Sequence, residues 1–280
     1  MTMPIDNRRY THRRLPMKVD EAAKVGRFMH KATGDTSDPQ GTWAAALMGI
    51  KFRRDLVDDY IRRCYGSVVQ SGPFKGMRYG AQAAGSTYSP KILGCYEQEL
   101  HPFIQALPGY RRFVNIGCGE GYYAVGARLA APGIDVHAFD IDPIARRLCR
   151  ALAEANGVAD GLRIGERCNP ETLAELAAPG TLVMVDIEGA EVELFAGLDV
   201  GRIAGCDVLV ETHNTPKSGL TLGAVVDALS PTHDVTVVDQ QPRDWSAVPE
   251  LLPLANLDRF LAQWEGRGPE PWVFAKSRGS

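Results

Sequence analysis

From Tyr110 onward, short apolar or β-branched runs recur at near-regular intervals: "RFVNIG", "DVHAFD", "LRIGE", "TLVMVD", "CDVLVE", "DVTVVD" and "PWVFAK". Helical periodicity and turn residues separate most of them. Continuous apolar runs mark strands buried on both faces, and their alternation with helices predicts an α/β fold. The architecture expected is a doubly wound, seven-stranded, mostly parallel sheet with helices on both sides and "PWVFAK" antiparallel at the end. The helix after the second run has the clearest boundaries. Asp142 caps it, Pro143 sits in its first turn, Ile144, Leu148 and Leu152 share a face, and Gly157 ends it.

Upstream the pattern changes twice. Residues 1–40 are polar and turn-rich, closing on "TGDTSDPQG", and read as an arm. Residues 41–109 read as a mainly helical extension covering the sheet domain of residues 110–280. Within it, Trp43 to Tyr65 has helical spacing, with Leu47, Ile50, Leu56, Tyr60 and Ile61 on one stripe. "SVVQSGPFKGMRYG" predicts a hairpin turning near Gly72, Pro73 and Gly76. Ser89 before Pro90 starts a helix, and "PKILGCYEQELHPFIQAL" is expected to continue as one helix toward the sheet.

Composition narrows the classes of function. A net charge of -3 gives no overall cationic field, so the cluster Arg8, Arg9, Arg13 and Arg14 reads as a solvated arm and nucleic acid is not an expected partner. The six cysteines are scattered, without CxxC pairs or zinc-finger spacing, which fits a reducing cytoplasm. "WAAALMGI" is far too short to span a bilayer, and the first residues lack a secretory layout, so no membrane partner is expected. A homo-oligomer is compatible with the pattern.

Three glycines, Gly117, Gly119 and Gly121, follow the first strand directly in "NIGCGEGYY". In a doubly wound sheet the ligand crevice lies beyond the carboxyl ends of the strands, and glycines there permit both a tight turn and close ligand approach. Asp140 ends the second strand about twenty residues on, where an acidic side chain reaches a ribose hydroxyl pair. A dinucleotide turn needs its third glycine at position 122, where Tyr122 stands. That leaves an adenosine-type ligand of another kind, or a packing turn.

The G-x-G-x-G spacing resembles the first motif of class I S-adenosylmethionine-dependent methyltransferases, a Rossmann-like fold. "LVMVDIEGAEVELFAGLD" is similar to the D-I-E-G-A-E signature of FkbM-type methyltransferases, a branch that often methylates hydroxyls of secondary metabolites and sugars. "FDIDP" and "VLVETHN" resemble further segments of that family, and the likeness spans Phe113 to Lys276. The resemblance implies S-adenosylmethionine as cofactor and a small-molecule or glycan acceptor. It implies that Asp140 holds the ribose, Ile141 lies against adenine, and the backbone from Gly117 through Cys118 and Gly119 to Gly121 passes the methionine portion, with Asp186 adjacent. Asn115 stands where the family carries an acid. Tyr96 and Glu97, on the preceding helix, are placed near the methionine end.

Methyl transfer needs an aimed nucleophile that loses a proton as it attacks. Asp186 and Glu211 end the fourth and fifth strands, with Glu188 and His213 two residues beyond them on the same side if the extended geometry continues. His213 is the first candidate for general base. Alternatively Asp186, Glu211 and His213 hold a divalent metal that acidifies the substrate hydroxyl. Tyr88, Lys91, Glu188 and Asn214 are the candidate acceptor contacts. Cys118 reads as a space-filling thiol, Tyr122 and Tyr123 as helix-start packing, and Glu191 and Glu193 as a solvated helix face. The competing functions are a NAD-dependent oxidoreductase and a non-catalytic cofactor-binding scaffold.

Overall fold

A computed structural model describes residues 39–80, 87–213, 220–243, 248, 251–268 and 270–279, with positions 26, 27 and 30. Most of the expected arm, Asn214 with the rest of "NTPKSG", and part of "QQPRDWSAVPE" lie outside the described residues; of the arm's described positions, 26, 27 and 30 are helical and exposed, and its last two, Pro39 and Gln40, already belong to a helix.

Seven strands form one sheet: β1 (Arg112–Ile116), β2 (Asp135–Phe139), β3 (Leu162–Gly165), β4 (Thr181–Val185), β5 (Asp207–Glu211), β6 (His233–Val238) and β7 (Trp272–Ser277). Their order is β3-β2-β1-β4-β5-β7-β6. The first five are parallel, and β7 runs antiparallel to both β5 and β6. This is the doubly wound, Rossmann-like class expected from the alternating pattern. The central strands β4 and β5 are buried at every position. Their side chains alternate between two cores, as a two-residue period requires. Phe113, Leu182, Met184 and Leu209 face one core, and Val114, Val183, Val185, Val208 and Val210 the other.

Helices cover both faces. α1 (Pro39–Tyr65), α2 (Tyr88–Leu93), α3 (His101–Gln105), α4 (Tyr122–Ala130), α5 (Pro143–Ala155) and, late in the chain, α9 (Asn256–Gln263) belong to the first face. The opposite face carries α6 (Pro170–Leu176), α7 (Glu191–Ala196) and α8 (Thr221–Leu229). The caps follow from sequence. Asp142 accepts the Ile144 amide at 2.8 Å and Asn169 the Thr172 amide at 2.8 Å, each with proline at the next position.

The extension differs from expectation in three places. The expected stripe on α1 is split: Leu56, Tyr60 and Ile61 are buried together with Val57, whereas Leu47 and Ile50 are exposed, because among the helix's described side chains burial begins at Leu56. The single helix expected from Pro90 is broken. Gly94, at φ 78°, closes α2 in the left-handed conformation and donates its amide to Pro90 and Lys91 carbonyls. Glu97 follows at φ 44°, and a 3-10 turn over Gln98–Leu100 restarts the path into α3. The break turns residues 95–97 toward the sheet's carboxyl edge. The hairpin reduces to one antiparallel bridge, Val68 with Arg78, closed by Val69 and Met77.

Extension and sheet share one core, in which Leu56, Ile61 and Leu93 join Leu254 and Leu261. Arg53 donates two hydrogen bonds, at 2.6 and 2.7 Å, to the fully buried Asp258 of α9. A bidentate pair of this kind fixes the orientation of α1 as well as its charge.

Candidate active site

The turn after β1 has all three glycines at positive φ: 82° at Gly117, 52° at Gly119 and 96° at Gly121. The outer two are required by packing. A Cβ on Gly117 would lie 1.6 Å from the Asp186 carbonyl oxygen, and one on Gly121 would lie 2.7 Å from Cys149 Sγ. Gly117 and Cys118 donate their amides to the Phe139 carbonyl at 2.8 and 2.9 Å, tying the turn to β2. Gly119 donates to Asp140 Oδ2 at 2.8 Å, and the Asp142 amide donates to Oδ1 at 2.8 Å. Each Asp140 oxygen keeps lone-pair capacity for a further donor. Ile141, 67% exposed, stands beside it. Asn115 is buried in β1 with its Oδ1 unpartnered, and it does not reach the crevice lining.

Beyond the turn lies a cavity of about 280 Å³. Gly117, Cys118, Gly119 and Glu120 form one side, Tyr96, Tyr122 and Tyr123 an aromatic wall, and Asp186, Glu188, Glu211 and His213 the acid-histidine side. It opens at the carboxyl ends of β1, β4 and β5, where the strand order reverses between β1 and β4. The structure thus gathers most of the residues singled out from sequence. Lys91 and Glu188 line the cavity, but Tyr88 does not. Tyr88 is buried, its hydroxyl donating to the Gly66 carbonyl at 3.1 Å, with Arg62 4.4 Å over its ring. Gly121, Asp140 and Ile141 lie outside the cavity lining, Gly121 where α4 begins and the other two where β2 ends.

His213 is the centre of the acid side. Its Nδ1 is 2.9 Å from Glu191 Oε1, which also accepts the Ile187 amide at 3.1 Å. Its Nε2 is 3.5 Å from Glu211 Oε2 and 3.7 Å from both Asp186 Oδ1 and Glu188 Oε2. Glu191 is therefore no solvated face residue. It is fully buried because α7 begins directly beneath the loop that carries Glu188, while Glu193 is exposed as expected. Burial pulls the imidazole pKa down, but the Glu191 bond and the surrounding carboxylates outweigh it and hold His213 above the ordinary histidine value. Burial, with the Asp186 and Glu97 charges, pushes Glu211 up to about 11 against the pull of Arg267. Burial also raises Asp186, to about 6, against the opposing pull of His213. The pair of strand-end carboxylates is thus a place where a proton is retained at neutral pH.

Two further ion clusters were not legible in the sequence. Arg267, in "WEGRGPE" just before β7, pairs with Glu97 at 2.8 Å, with Glu265 at 2.9 Å and with Glu211. Burial pushes Glu97 up to about 7, and its carboxylate accepts the Tyr123 hydroxyl, so it sits behind the aromatic wall and not in the cavity lining. On the other side, buried Lys91 pairs with Glu120, whose carboxylate also accepts the Tyr79 hydroxyl at 2.6 Å. Lys91 Nζ lies 4.6 Å from the Tyr96 ring centre and 5.2 Å from that of Tyr122, so these rings face a cation. An acid between two glycines of a tight turn, and an arginine framed by glycines before the last strand, were the available signals.

The fold and site define a doubly wound α/β protein with an acidic, aromatic-walled pocket at its switch point. No family model matches the chain. Over 83 residues, 30% of the chain, it is 35% identical to a ribosomal protein L11 methyltransferase of Rhizobium rhizogenes, and it spans about a quarter (27%) of that protein's length. Among solved structures it is similar to a human methyltransferase 10 domain containing protein, at TM-score 0.46 and 14% identity over 81% of this chain and 97% of that one. It is also similar to precorrin-6y C5,15-methyltransferase from Geobacter metallireducens, at TM-score 0.44 and 16% identity over 64% and 89% of the two chains. The O-methyltransferase TomG from Streptomyces achromogenes, solved with S-adenosylmethionine, is similar at TM-score 0.43 and 16% identity over 64% and 81%. Among the described residues no helix is long and apolar enough to cross a membrane.

Proposed function

We propose that the chain is an S-adenosylmethionine-dependent methyltransferase of the FkbM type that methylates a hydroxyl of a small metabolite or glycan. One observation carries this: the glycine turn contacts Asp140 through Gly119, and the same turn lines the pocket that holds Asp186, Glu211 and His213. A ligand laid along the turn would meet a carboxylate suited to ribose hydroxyls and then a strongly acidic, aromatic-walled chamber. The donor set fits the cofactor. Asp140 and the Gly119 region would hold the nucleoside portion, and the tyrosine wall with its carboxylates suits the cationic amino and sulfonium groups. When bound, S-adenosylmethionine supplies an electrophilic methyl group. His213, held by Glu191, would take the acceptor's proton, and Glu188 at the exposed rim would orient the acceptor. The resemblance to D-I-E-G-A-E acquires a physical meaning here, since its three acids become a pocket wall (Asp186), a rim (Glu188) and a clamp on the histidine (Glu191).

Against the dinucleotide alternative stands Tyr122. It is buried at the start of α4 with Phe74, Tyr96 and Tyr79 around its ring at 5.2, 5.6 and 5.7 Å, where a pyrophosphate turn requires glycine. Against a scaffold stands backbone strain. Among the described residues two non-glycine positions have positive φ: Glu188, at 55°, lines the cavity, and Glu97, at 44°, stands behind its aromatic wall. Calorimetric titration of the full chain tests the assignment. S-adenosylmethionine and S-adenosylhomocysteine are expected to bind at micromolar concentration, and NAD is not. A folded protein giving no heat and no thermal shift with either methionine cofactor overturns it.

A further inference from the structure

We infer that Asp186, Glu211 and His213 form a binding site for one divalent cation, with Glu191 as the residue that positions the histidine. One ligand atom from each of the three lies within 4.8 Å of the others. The separations of 3.5 Å (Glu211 Oε2) and 3.7 Å (Asp186 Oδ1) from His213 Nε2 are longer than charged hydrogen bonds. They approach the edge of a coordination shell, since ligands about 2.1 Å from a metal stand roughly 3.4 Å apart in a tetrahedral shell and roughly 3.0 Å apart in the octahedral shell usual for Mn²⁺.

The histidine is prepared for this from behind. Glu191 is fully buried and already accepts the Ile187 amide, so the proton between it and His213 belongs on Nδ1. Nε2 is then the nitrogen that faces the two strand-end carboxylates and can bind a cation. A carboxylate that fixes the remote nitrogen of an imidazole is the usual outer support of a metal ligand. Glu211 is divided in the same way: Arg267 takes its Oε1, and Oε2 turns to His213. Arg267 is shared among Glu97, Glu211 and Glu265, which leaves Asp186, Glu188 and Glu191 with His213 as their nearest basic group among the contacts described. Asp186, Glu188, Glu191 and Glu211 around one imidazole favour a cation of charge two, which would displace the proton retained by the strand-end pair, and one imidazole with two carboxylates suits Mn²⁺ or a similar first-row ion. Glu188, at 3.7 Å from Nε2 and exposed to solvent, borders the open side, where water or an acceptor oxygen would complete the shell.

Cation binding stands independently of methyl transfer. Its role, lowering the pKa of an acceptor hydroxyl bound to it, rests on the function proposed above and takes the place of His213 as general base, because a coordinated Nε2 has no lone pair for the acceptor's proton, which then leaves by the solvent-exposed Glu188 rim. The test is titration of the EDTA-treated full chain with Mn²⁺, followed by the electron paramagnetic resonance signal of the free ion. One Mn²⁺ per chain is expected to bind. Asp186→Asn and His213→Gln should weaken binding by at least about tenfold, and Glu191→Gln, which leaves all three ligands in place, by about 10- to 100-fold. Circular dichroism on the same samples checks folding, and should the variants unfold, the wild-type titration alone decides. A folded wild type that leaves all Mn²⁺ free, or folded variants that bind as well as it does, overturns the inference. S-adenosylmethionine titration in parallel separates the two proposals, since loss of one ligand with retention of the other removes only the corresponding one.

Discussion

The two sides of the crevice are built from different materials. On the turn side, from β1 through Gly121 to the end of β2, the contacts are backbone amides, positive φ angles and one carboxylate held by two amides. On the acid side, at the ends of β4 and β5, the contacts are buried side chains whose charges depend on one another. Backbone geometry needs glycine at a few positions and little else. Buried charges need each partner individually, because removing one leaves the next unpaired in a poorly solvated place. On the proposed function, the turn side should therefore control cofactor affinity, and the acid side turnover.

The sharpest way to break this division is His213→Gln. Turnover is expected to fall by about 10²- to 10⁴-fold, with S-adenosylmethionine affinity changed by less than about threefold. Paired losses of similar size, measured by steady-state kinetics and calorimetry, would mean that the two sides act as one. Gly117→Ala crosses the border. It combines left-handed backbone strain with a Cβ pressed on the Asp186 carbonyl, so unfolding in urea should show a loss of about 3 kcal/mol or more. A loss under about 1 kcal/mol would show that the strand ends separate easily.

Glu97 tests whether acid-side charge reaches the fold. Burial first, then the Asp186 and Glu265 charges, raise its pKa to about 7 from an ordinary 4.5, while Arg267 opposes them. A raised acid contributes stability that is full below its unfolded pKa and is lost as pH climbs toward the folded one. Glu97→Gln should therefore gain on the wild type between about pH 4.5 and about pH 7, by about 3 kcal/mol, and run parallel to it above. Parallel stability curves across the whole range would place the ionisable burden elsewhere. The smallest effect belongs to Asp140→Ala. Cofactor binding should weaken about tenfold, with turnover at saturating cofactor near the wild-type value. Unchanged affinity would remove Asp140 from the ribose role.

What sequence pattern revealed follows the same division. The strands were legible because each is a short apolar run between turn residues, and the turn because its glycines follow one of them directly. Asp186, Glu211 and His213 could be grouped from sequence because strand ends in this topology converge, and the structure places them together. Glu191 was misread as a solvated face residue. Its charge alone suggests a solvated position, but residues two apart on a helix point to opposite sides, so Glu193 faces out while Glu191 turns in under His213. Arg267 and Glu265 carry no periodic signal at all, since they lie in an irregular lead-in to β7 and meet Glu97 and Glu211 from far along the chain. The break at Gly94 was hidden by apolar residues on both sides that continue a helical rhythm, although the glycine itself was visible.

The contact between Gly117 and the Asp186 carbonyl sets a rule for anyone redesigning this molecule. With no room for a methyl group between the first and fourth strands, the turn and the root of the acid cluster cannot be altered separately by mutation. New acceptor preferences are better sought at the rim, at Glu188 and Glu270, which border the cavity without joining the strand ends. A library confined to those two positions would search specificity while leaving the mechanical joint intact.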